Sequence, residues 1–378
     1  MLPQTKASLE HILEHRKAYL EDRKNKQLPS RPLVVGVSGC QGSGKTTLCD
    51  TLSHLLGSEP HNLNVVSFSL DDFYLTRAEQ AKLSEANPGN PLFQYRGQPG
   101  SHDVDLLKRT LTHLVQQSEH QVRIPSYDKS LFGGLGDRRP LSDWKPTKAP
   151  YDVILFEGWS QGFKPLLPTE LERVHRHATP NSCIAKLPLA YLSQMNTNLE
   201  QYESQLYSMF DIFIHLSPAK LEQVYNWRLQ QEHHMKATRG VQGMSDEDVR
   251  AFVDTYMPAY ELYLPRLDKV GFFGQGLHGE PLKPYEGPQR KDGGYSASGR
   301  HLRIVLDQER RVIDSVHIKE HLQSKTLSST TANNNVSPAY RFSRLLVTCT
   351  VFGALGFLGY TRRQRVADIF MRLIRGRS

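Results

Sequence analysis

The run from Leu33 to Leu48, Leu-Val-Val-Gly-Val-Ser-Gly-Cys-Gln-Gly-Ser-Gly-Lys-Thr-Thr-Leu, leaves the chain few folds to choose from. It opens with a β-rich apolar stretch long enough for a buried strand. Gly39-x4-Gly44-Lys45-Thr46 follows, and then Leu48, Leu52, Leu55 and Leu56 fall on one side of a helix. Strand, glycine loop and helix in that order make a P-loop. The glycines let the backbone turn sharply, so that successive N–H groups converge on one anion. The helix N-terminus behind them adds partial positive charge and unpaired donors. Gly39, Cys40, Gln41, Gly42, Ser43, Gly44, Lys45, Thr46 and Thr47 are therefore the expected cradle of a nucleoside triphosphate. Lys45 is expected on the β- and γ-phosphates and the Thr46 hydroxyl on Mg2+.

Further strands bring acids toward that loop. Asn64–Leu70 reads as a second buried strand and runs into Asp71-Asp72-Phe73-Tyr74. Carboxylates at the C-terminal edge of a parallel strand sit where open α/β sheets bind ligands. One of the two can take a proton from an attacking hydroxyl, as phosphoryl transfer to an alcohol requires. The competing reading is a helix cap or an Asx-turn. Asp152–Trp159 is a third strand, which places Glu157 at the Walker B position, to hold Mg2+ through water or to orient the nucleophile. Phe210–Leu216 is a fourth. The helix after it carries Arg228 and continues past Lys236 and Arg239 to Gly240, a pattern suited to a closing lid whose arginine meets charge on the transferring phosphoryl. His301–Leu306 and Arg311–Asp314 flank Asp307-Gln-Glu-Arg and are expected to pair at the sheet edge.

The connecting segments supply charge. Leu83–Asp105 is a long polar stretch rich in turn formers, the pattern of a functional loop or of disorder. Arg96 and Asp103 within it can serve a small polar substrate. Lys129, Arg138 and Arg139 are candidates for an anionic group of that substrate, with solvated surface cations as the alternative. Tyr260 and Tyr263 read as core aromatics.

These motifs together, Gly-Val-Ser-Gly-Cys-Gln-Gly-Ser-Gly-Lys-Thr-Thr, Ser-Leu-Asp-Asp-Phe-Tyr, Arg-Gly-Gln-Pro-Gly-Ser-His-Asp, Pro-Ser-Tyr-Asp-Lys-Ser and Phe-Glu-Gly-Trp, resemble the D-glycerate 3-kinase family over roughly residues 30–315. That family is related to pantothenate kinase, uridine kinase and phosphoribulokinase. The resemblance implies an α/β P-loop kinase with a mainly parallel sheet, helices on both faces and a helical lid, using ATP and Mg2+. It implies Asp71 as catalytic base, Glu157 as the Mg2+-associated acid and Arg228 as the lid arginine. The acceptor it implies is D-glycerate. Arg96 and Lys129 are candidates for the glycerate carboxylate on charge grounds, and Asp72, Tyr74, Asp103 and Tyr127 are further acceptor-site candidates. A pantothenate- or nucleoside-like acceptor stays open, as does a membrane-tethered nucleotide-binding regulator with little catalysis.

Composition narrows the rest. Residues 341–378 hold eight Arg and one Asp, so the net charge of +8 belongs almost wholly to that tail. A nearly neutral body argues against nucleic acid as partner. Cys40, Cys49, Cys183 and Cys349 are scattered, which suits a reducing compartment such as the cytoplasm better than a disulfide framework. His233 and His234 lack further ligands at metal spacing. Residues 1–30 read as an N-terminal helix packed beside the core through Leu9, Ile12, Leu13, Arg16 and Leu20, with no secretory signal or transit peptide. The kinase domain is expected over 31–315 with an insertion at 269–300, followed by a flexible linker over 316–340. In the tail, Leu345–Tyr360 carries no charge and is short for a membrane span. Val366, Ile369, Phe370, Leu373 and Ile374 then form one helical face flanked by arginines, as on a membrane-surface helix. Membrane contact and a hairpin packed on the kinase body are both open readings.

Overall fold

A computed structural model describes residues 1–239, 243–278 and 280–320. Of the linker expected over 316–340, the first three residues instead belong to the last strand, Val312–Ile318, because they pair with His301–Arg303; the part beyond Glu320, the basic tail and Gly240 of the expected lid lie outside the described residues. Among the described residues, no helix is long and apolar enough to cross a membrane.

The chain begins with helix α1 (Pro3–Asn25), strand β1 (Leu33–Gly39), helix α2 (Lys45–Gly57) and strand β2 (Val65–Ser69). Helices α3 (Arg77–Ala86) and α4 (Val104–Gln116) follow. Two small antiparallel pairs come next, β3 (Gln121–Ile124) with β6 (Lys145–Lys148) and β4 (Tyr127–Asp128) with β5 (Asp137–Arg138). Strand β7 (Val153–Gly158) precedes helices α5 (Pro168–Arg176) and α6 (Leu189–Leu206). After β8 (Ile212–Pro218) come helices α7 (Gln223–Arg239), α8 (Asp246–Asp254) and α9 (Met257–Val270), and then β9 (His301–Leu306) and β10 (Val312–Ile318).

The main sheet runs β2-β7-β1-β8-β9-β10, parallel except for β10, which pairs antiparallel with β9 as expected from sequence. Strands β1, β7 and β8 are buried along their whole length, as continuous apolar runs with helices on both faces should be. The second strand differs from expectation: β2 is the sheet edge, and every other residue is half-exposed. Phe68, Phe156, Gly36 and Phe213 form one row across four neighbouring strands. A Cβ on Gly36 would stand 2.6 Å from the Phe213 ring, so the glycine lets the aromatic layer close over β1.

Helix α1 packs against α2 and the sheet partly through the face read from the sequence: Ile12 is buried, and Leu9 and Leu13 pack half-buried on the core. Its buried residues are Thr5, Ser8, His11, Ile12, His15 and Tyr19, whereas Leu20 stays exposed. Specific polar contacts turn the helix to this face. His15 Nδ1 meets the Tyr295 hydroxyl at 3.0 Å, and Arg31 donates to both Tyr19 (2.6 Å) and the buried Asp211 (2.6 Å).

The segment 269–300 is tied down by buried charge. Glu286 accepts from Lys164 and from Arg266 (2.8 Å), and Lys164 also donates to the Phe272 carbonyl at 2.7 Å. Burial, aided by Arg266, pushes the Lys164 ammonium down to about 7 against the pull of Glu286. Arg300 sits 3.9 Å over the Phe273 ring and donates to the Tyr295 and Gly287 carbonyls. Removing one partner of such a pair leaves an uncompensated buried charge. Glu286→Ala should therefore cost about 3–5 kcal/mol of unfolding free energy in denaturant titration. A loss below about 1 kcal/mol would show that the cluster does not anchor the segment.

Candidate active site

The C-terminal ends of β1, β7 and β2 lie side by side, with Val37 paired to Glu157 and Glu157 to Ser69. A cleft of about 1690 Å3 opens there. From β1 the chain turns through Cys40–Ser43 and enters α2 at Lys45. Gly44 caps that helix in the left-handed region at φ +89°, where a side chain would be strained. A Cβ on Gly42 would come within 2.7 Å of Trp227, so this glycine admits α7 against the loop. The first N–H groups of α2 have no intrahelical acceptor and face an incoming anion. Gln41, Gly42, Gly44, Lys45, Thr46 and Thr47 line the cleft. Gly39, Cys40 and Ser43 form the turn behind them; the Gln41 N–H donates to the Tyr260 hydroxyl at 3.1 Å, which fastens that turn to α9. Burial pushes the Cys40 thiol far up, so it stays protonated.

Glu157 projects from the end of β7 and is 5% exposed. Its Oε1 accepts from the Thr46 hydroxyl at 3.1 Å, and Lys45 Nζ lies 3.9 Å from Oε2. Oε2 is buried without a hydrogen-bond partner. Nearby, Asp72 is pushed up to about 6 by burial, against a Ser69 N–H bond that lowers it, with Asp71 and Glu157 adding repulsion. A hydroxyl, an orphaned carboxylate oxygen and a second acid short of positive charge fit Mg2+, which takes one or two carboxylates plus substrate phosphates and water. Among the described residues no group of three or more His, Cys, Asp or Glu is placed to hold a metal unaided. Thr46 and Glu157 are thus the residues that would hold the ion.

Asp71 and Asp72 occupy one 3-10 turn, Leu70–Phe73, closed by a capping box. Ser69 Oγ accepts from the Asp71 N–H (3.2 Å), and Asp72 Oδ2 accepts from the Ser69 N–H (3.0 Å). The capping role thus falls to Asp72, although it also lines the cleft, while the Asp71 carboxylate is left to face Lys129 in an ion pair. Burial acts to raise the Asp71 carboxyl, but Lys129, Lys45 and His102 outweigh it and hold the group well below the usual carboxylate range.

The charge on Asp72 carries a pH signature. The folded protein keeps this proton to about pH 6, while the ordinary value is 3.8. The unfolded chain then binds fewer protons over that window, so stability falls as pH rises through it and stays lower above it. The amide oxygen of Asp72→Asn can still accept the Ser69 N–H. Its melting temperature in metal-free buffer should exceed wild type at pH 7.5 and converge with it near pH 4. Melting below wild type at pH 7.5 would contradict this assignment.

The remaining sequence candidates divide. Tyr74, Arg96, Tyr127, Lys129 and Arg228 all line the cleft. Tyr74 stacks on His102 (4.5 Å) and meets Tyr127 edge-on (5.3 Å), forming an aromatic wall. Arg96 donates to the carbonyls of Gly134 (2.9 Å) and Leu135, so it holds the 131–136 loop at the cleft as well as facing it. Arg228 pairs with Glu232 (2.8 Å) and lies 5.4 Å over the Phe252 ring of α8. Glu232 in turn accepts from the Met244 N–H at 2.7 Å, which joins α7 to the segment leading into α8. Asp103 is not at the cleft. It caps α4 through the Leu106 N–H (2.9 Å) and pairs with Arg138 (3.1 Å), so both its oxygens are engaged in placing the loop. Arg139 pairs with Asp128 at 2.6 Å, likewise away from the cleft.

Trp159, Tyr256 and Arg310 also line the cleft, and the sequence reading placed none of them there. Trp159, directly after Glu157, donates to the Gly97 carbonyl (3.2 Å) and packs edge-on against Tyr256 (4.9 Å). Arg310, at the β9–β10 turn, donates to the Gly42 carbonyl (2.6 Å) and to Gln230 (2.7 Å), bracing the phosphate loop from the far edge of the sheet. Only the Trp in Phe-Glu-Gly-Trp had a local signal. The other two reach the cleft by tertiary packing.

The model of the Phosphoribulokinase / Uridine kinase family matches residues 34–165. The uncharacterized kinase mug58 of Schizosaccharomyces pombe is 44% identical over 264 residues, which cover 69% of this chain and 91% of that protein. The chloroplastic D-glycerate 3-kinase of Arabidopsis thaliana is 38% identical over 284 residues, 75% of this chain and 54% of that protein. Among solved structures, D-glycerate 3-kinase from Cryptococcus neoformans var. grubii superposes with a TM-score of 0.69 at 34% identity, covering 84% of this chain and 99% of that one.

Proposed function

The chain belongs to the D-glycerate 3-kinase family of P-loop kinases, within the phosphoribulokinase/uridine kinase group, and on that premise we propose that its acceptor is D-glycerate. As a member it is an ATP-dependent phosphotransferase acting on an alcohol. The observation that carries the acceptor reading is the Asp71–Lys129 pair facing the phosphate loop across one cleft. A hydroxy acid needs both members: a carboxylate to take the hydroxyl proton and a cation for its own carboxylate.

In this reading the backbone N–H groups of the loop and Lys45 hold the ATP phosphates, which places the γ-phosphorus toward Asp71. The acceptor hydroxyl attacks the γ-phosphorus, and the bond to the bridging oxygen of ADP breaks. Asp71 takes the hydroxyl proton and passes it to solvent. Lys45 and Arg228 face the charge that spreads over the transferring group. Mg2+ held at Thr46 and Glu157 supplies further charge neutralisation. Lys129 takes the acceptor carboxylate. Tyr74, Tyr127 and Trp159 wall the acceptor side and exclude water, which strengthens each of these charge interactions.

The test is ADP release by the full chain with MgATP and, in turn, D-glycerate, pantothenate, uridine and ribulose 5-phosphate. Acceleration by D-glycerate alone supports the reading. Acceleration by another member of the panel, or by none, overturns it.

A further inference from the structure

We propose that Lys129 gates the catalytic base: without acceptor it occupies the Asp71 carboxylate, and the acceptor's own carboxylate draws it off so that the reacting hydroxyl can take its place. This rests on the reading of Asp71 as base.

The two partners differ in how firmly they are held. Asp71 is fixed at the end of β2 by the capping box, and its side chain is 25% exposed. Lys129 follows the two-residue strand β4 on an outer loop, and its side chain is 56% exposed. A four-carbon stem bearing a point charge can swing while the carboxylate stays in place. The neighbouring acid offers Lys129 no competing partner, because Asp128 already accepts from Ser130 (2.9 Å) and pairs with Arg139 (2.6 Å). The loop's own position does not depend on Lys129. It is set by Arg96 on the Gly134 and Leu135 carbonyls and by Arg138 on Asp103 and the Tyr74 carbonyl (2.8 Å).

The pairing has a chemical consequence. Burial raises the proton affinity of Asp71, and Lys129 is the foremost of the charges that lower it. While the pair is closed, the ammonium holds the Oδ2 oxygen and makes the carboxylate a weaker base, so a water molecule at the acceptor position is poorly activated. An acceptor bearing an anion beside its hydroxyl replaces both halves of the contact. Its carboxylate meets the ammonium and its hydroxyl donates to Asp71. In either reaction, an oxygen bonds to the γ-phosphorus, the bond to ADP breaks and the oxygen's proton passes to Asp71. The gate decides whether that oxygen belongs to the acceptor or to water. The acceptor class is thereby narrowed to short hydroxy acids, with the neutral polyol glycerol excluded.

The deciding experiment compares ADP release from MgATP by wild type, Lys129→Met, Lys129→Arg and the Lys129→Met/Asp71→Asn double variant, first without acceptor and then with D-glycerate or glycerol. Lys129→Met should hydrolyse ATP about tenfold faster than wild type without acceptor, and the double variant should lose that gain. Lys129→Arg, which keeps the positive charge opposite Asp71, should gain less acceptor-free hydrolysis than Lys129→Met. The KM for D-glycerate should rise about 10–100-fold in Lys129→Met, and its advantage over glycerol should collapse. Melting curves check that each variant is folded, and Lys129→Gln repeats the test with a polar side chain. Acceptor-free hydrolysis by Lys129→Met and Lys129→Gln no faster than wild type overturns the gate, whatever the acceptor. If D-glycerate fails to accelerate wild type, the acceptor reading falls instead, and the hydrolysis comparison still decides the gate.

Discussion

Asp71→Asn should lower turnover with D-glycerate by about 10²–10⁴-fold, the range for loss of a positioned general base, while leaving MgATP affinity nearly unchanged. The amide has almost the same shape as the carboxylate and leaves the capping box intact, since Asp71 enters that box through its N–H and not its side chain. What disappears is the acceptor for the hydroxyl proton. In the proposed reading the phosphate loop holds the nucleotide, and the loop residues that line the cleft, Gln41, Gly42 and Gly44 to Thr47, are separate from this side chain. Steady-state ADP release together with calorimetric MgATP binding reads both halves. Turnover within about tenfold of wild type would remove Asp71 from the base role, and lost nucleotide binding would mark it as structural.

Lys45→Met should cost about 10²–10³-fold in turnover, with a weaker grip on MgATP as a second effect. Lys45 is the first residue of α2, so the macrodipole and the unpaired N–H groups act at the same point as its ammonium. Those backbone donors remain in the variant and retain part of the ground-state binding. The lost charge matters most where negative charge spreads over the γ-phosphoryl oxygens, so kcat should fall by more than affinity does. Glu157, 3.9 Å away and buried, also loses an ion partner, so the melting curve must accompany the kinetics. A variant with near-wild-type kcat and a raised KM would place Lys45 in ground-state binding alone.

The phosphate loop, four of the five parallel strands and the acids at the ends of β2 and β7 were legible because each lies in a short apolar run followed by a turn. Local patterns of that kind survive in sequence. The β9–β10 pair was legible for the same reason, as two apolar runs flanking a polar turn. Strand order was not. Nothing within Asn64–Leu70 distinguishes an edge from a central strand until its neighbours are known.

The face of α1 was legible in part: Ile12, Leu9 and Leu13 pack on the core, but Leu20 does not, and apolar spacing gives no sign of the buried His15 and Tyr19, which Tyr295 and Arg31 hold from outside the helix. Arg310 reaches the phosphate loop across 268 residues of chain, and no periodicity reports such a contact. Asp103 shows the opposite failure. An acid in a polar loop resembles a ligand in sequence, yet a free helix N–H and a nearby arginine claim both its oxygens. Residues 269–300 resembled a loose insertion by composition. Their order comes from buried ionic side chains, chiefly Glu286, whose partners Lys164 and Arg266 lie outside the segment.

The most direct test of the central claim is to follow the label from γ-labelled ATP when the full chain is given Mg2+ and D-glycerate. The account predicts a phosphate ester of glycerate formed in step with ADP, with little label as inorganic phosphate. Label appearing only as inorganic phosphate, or on pantothenate or uridine in preference to glycerate, would contradict it.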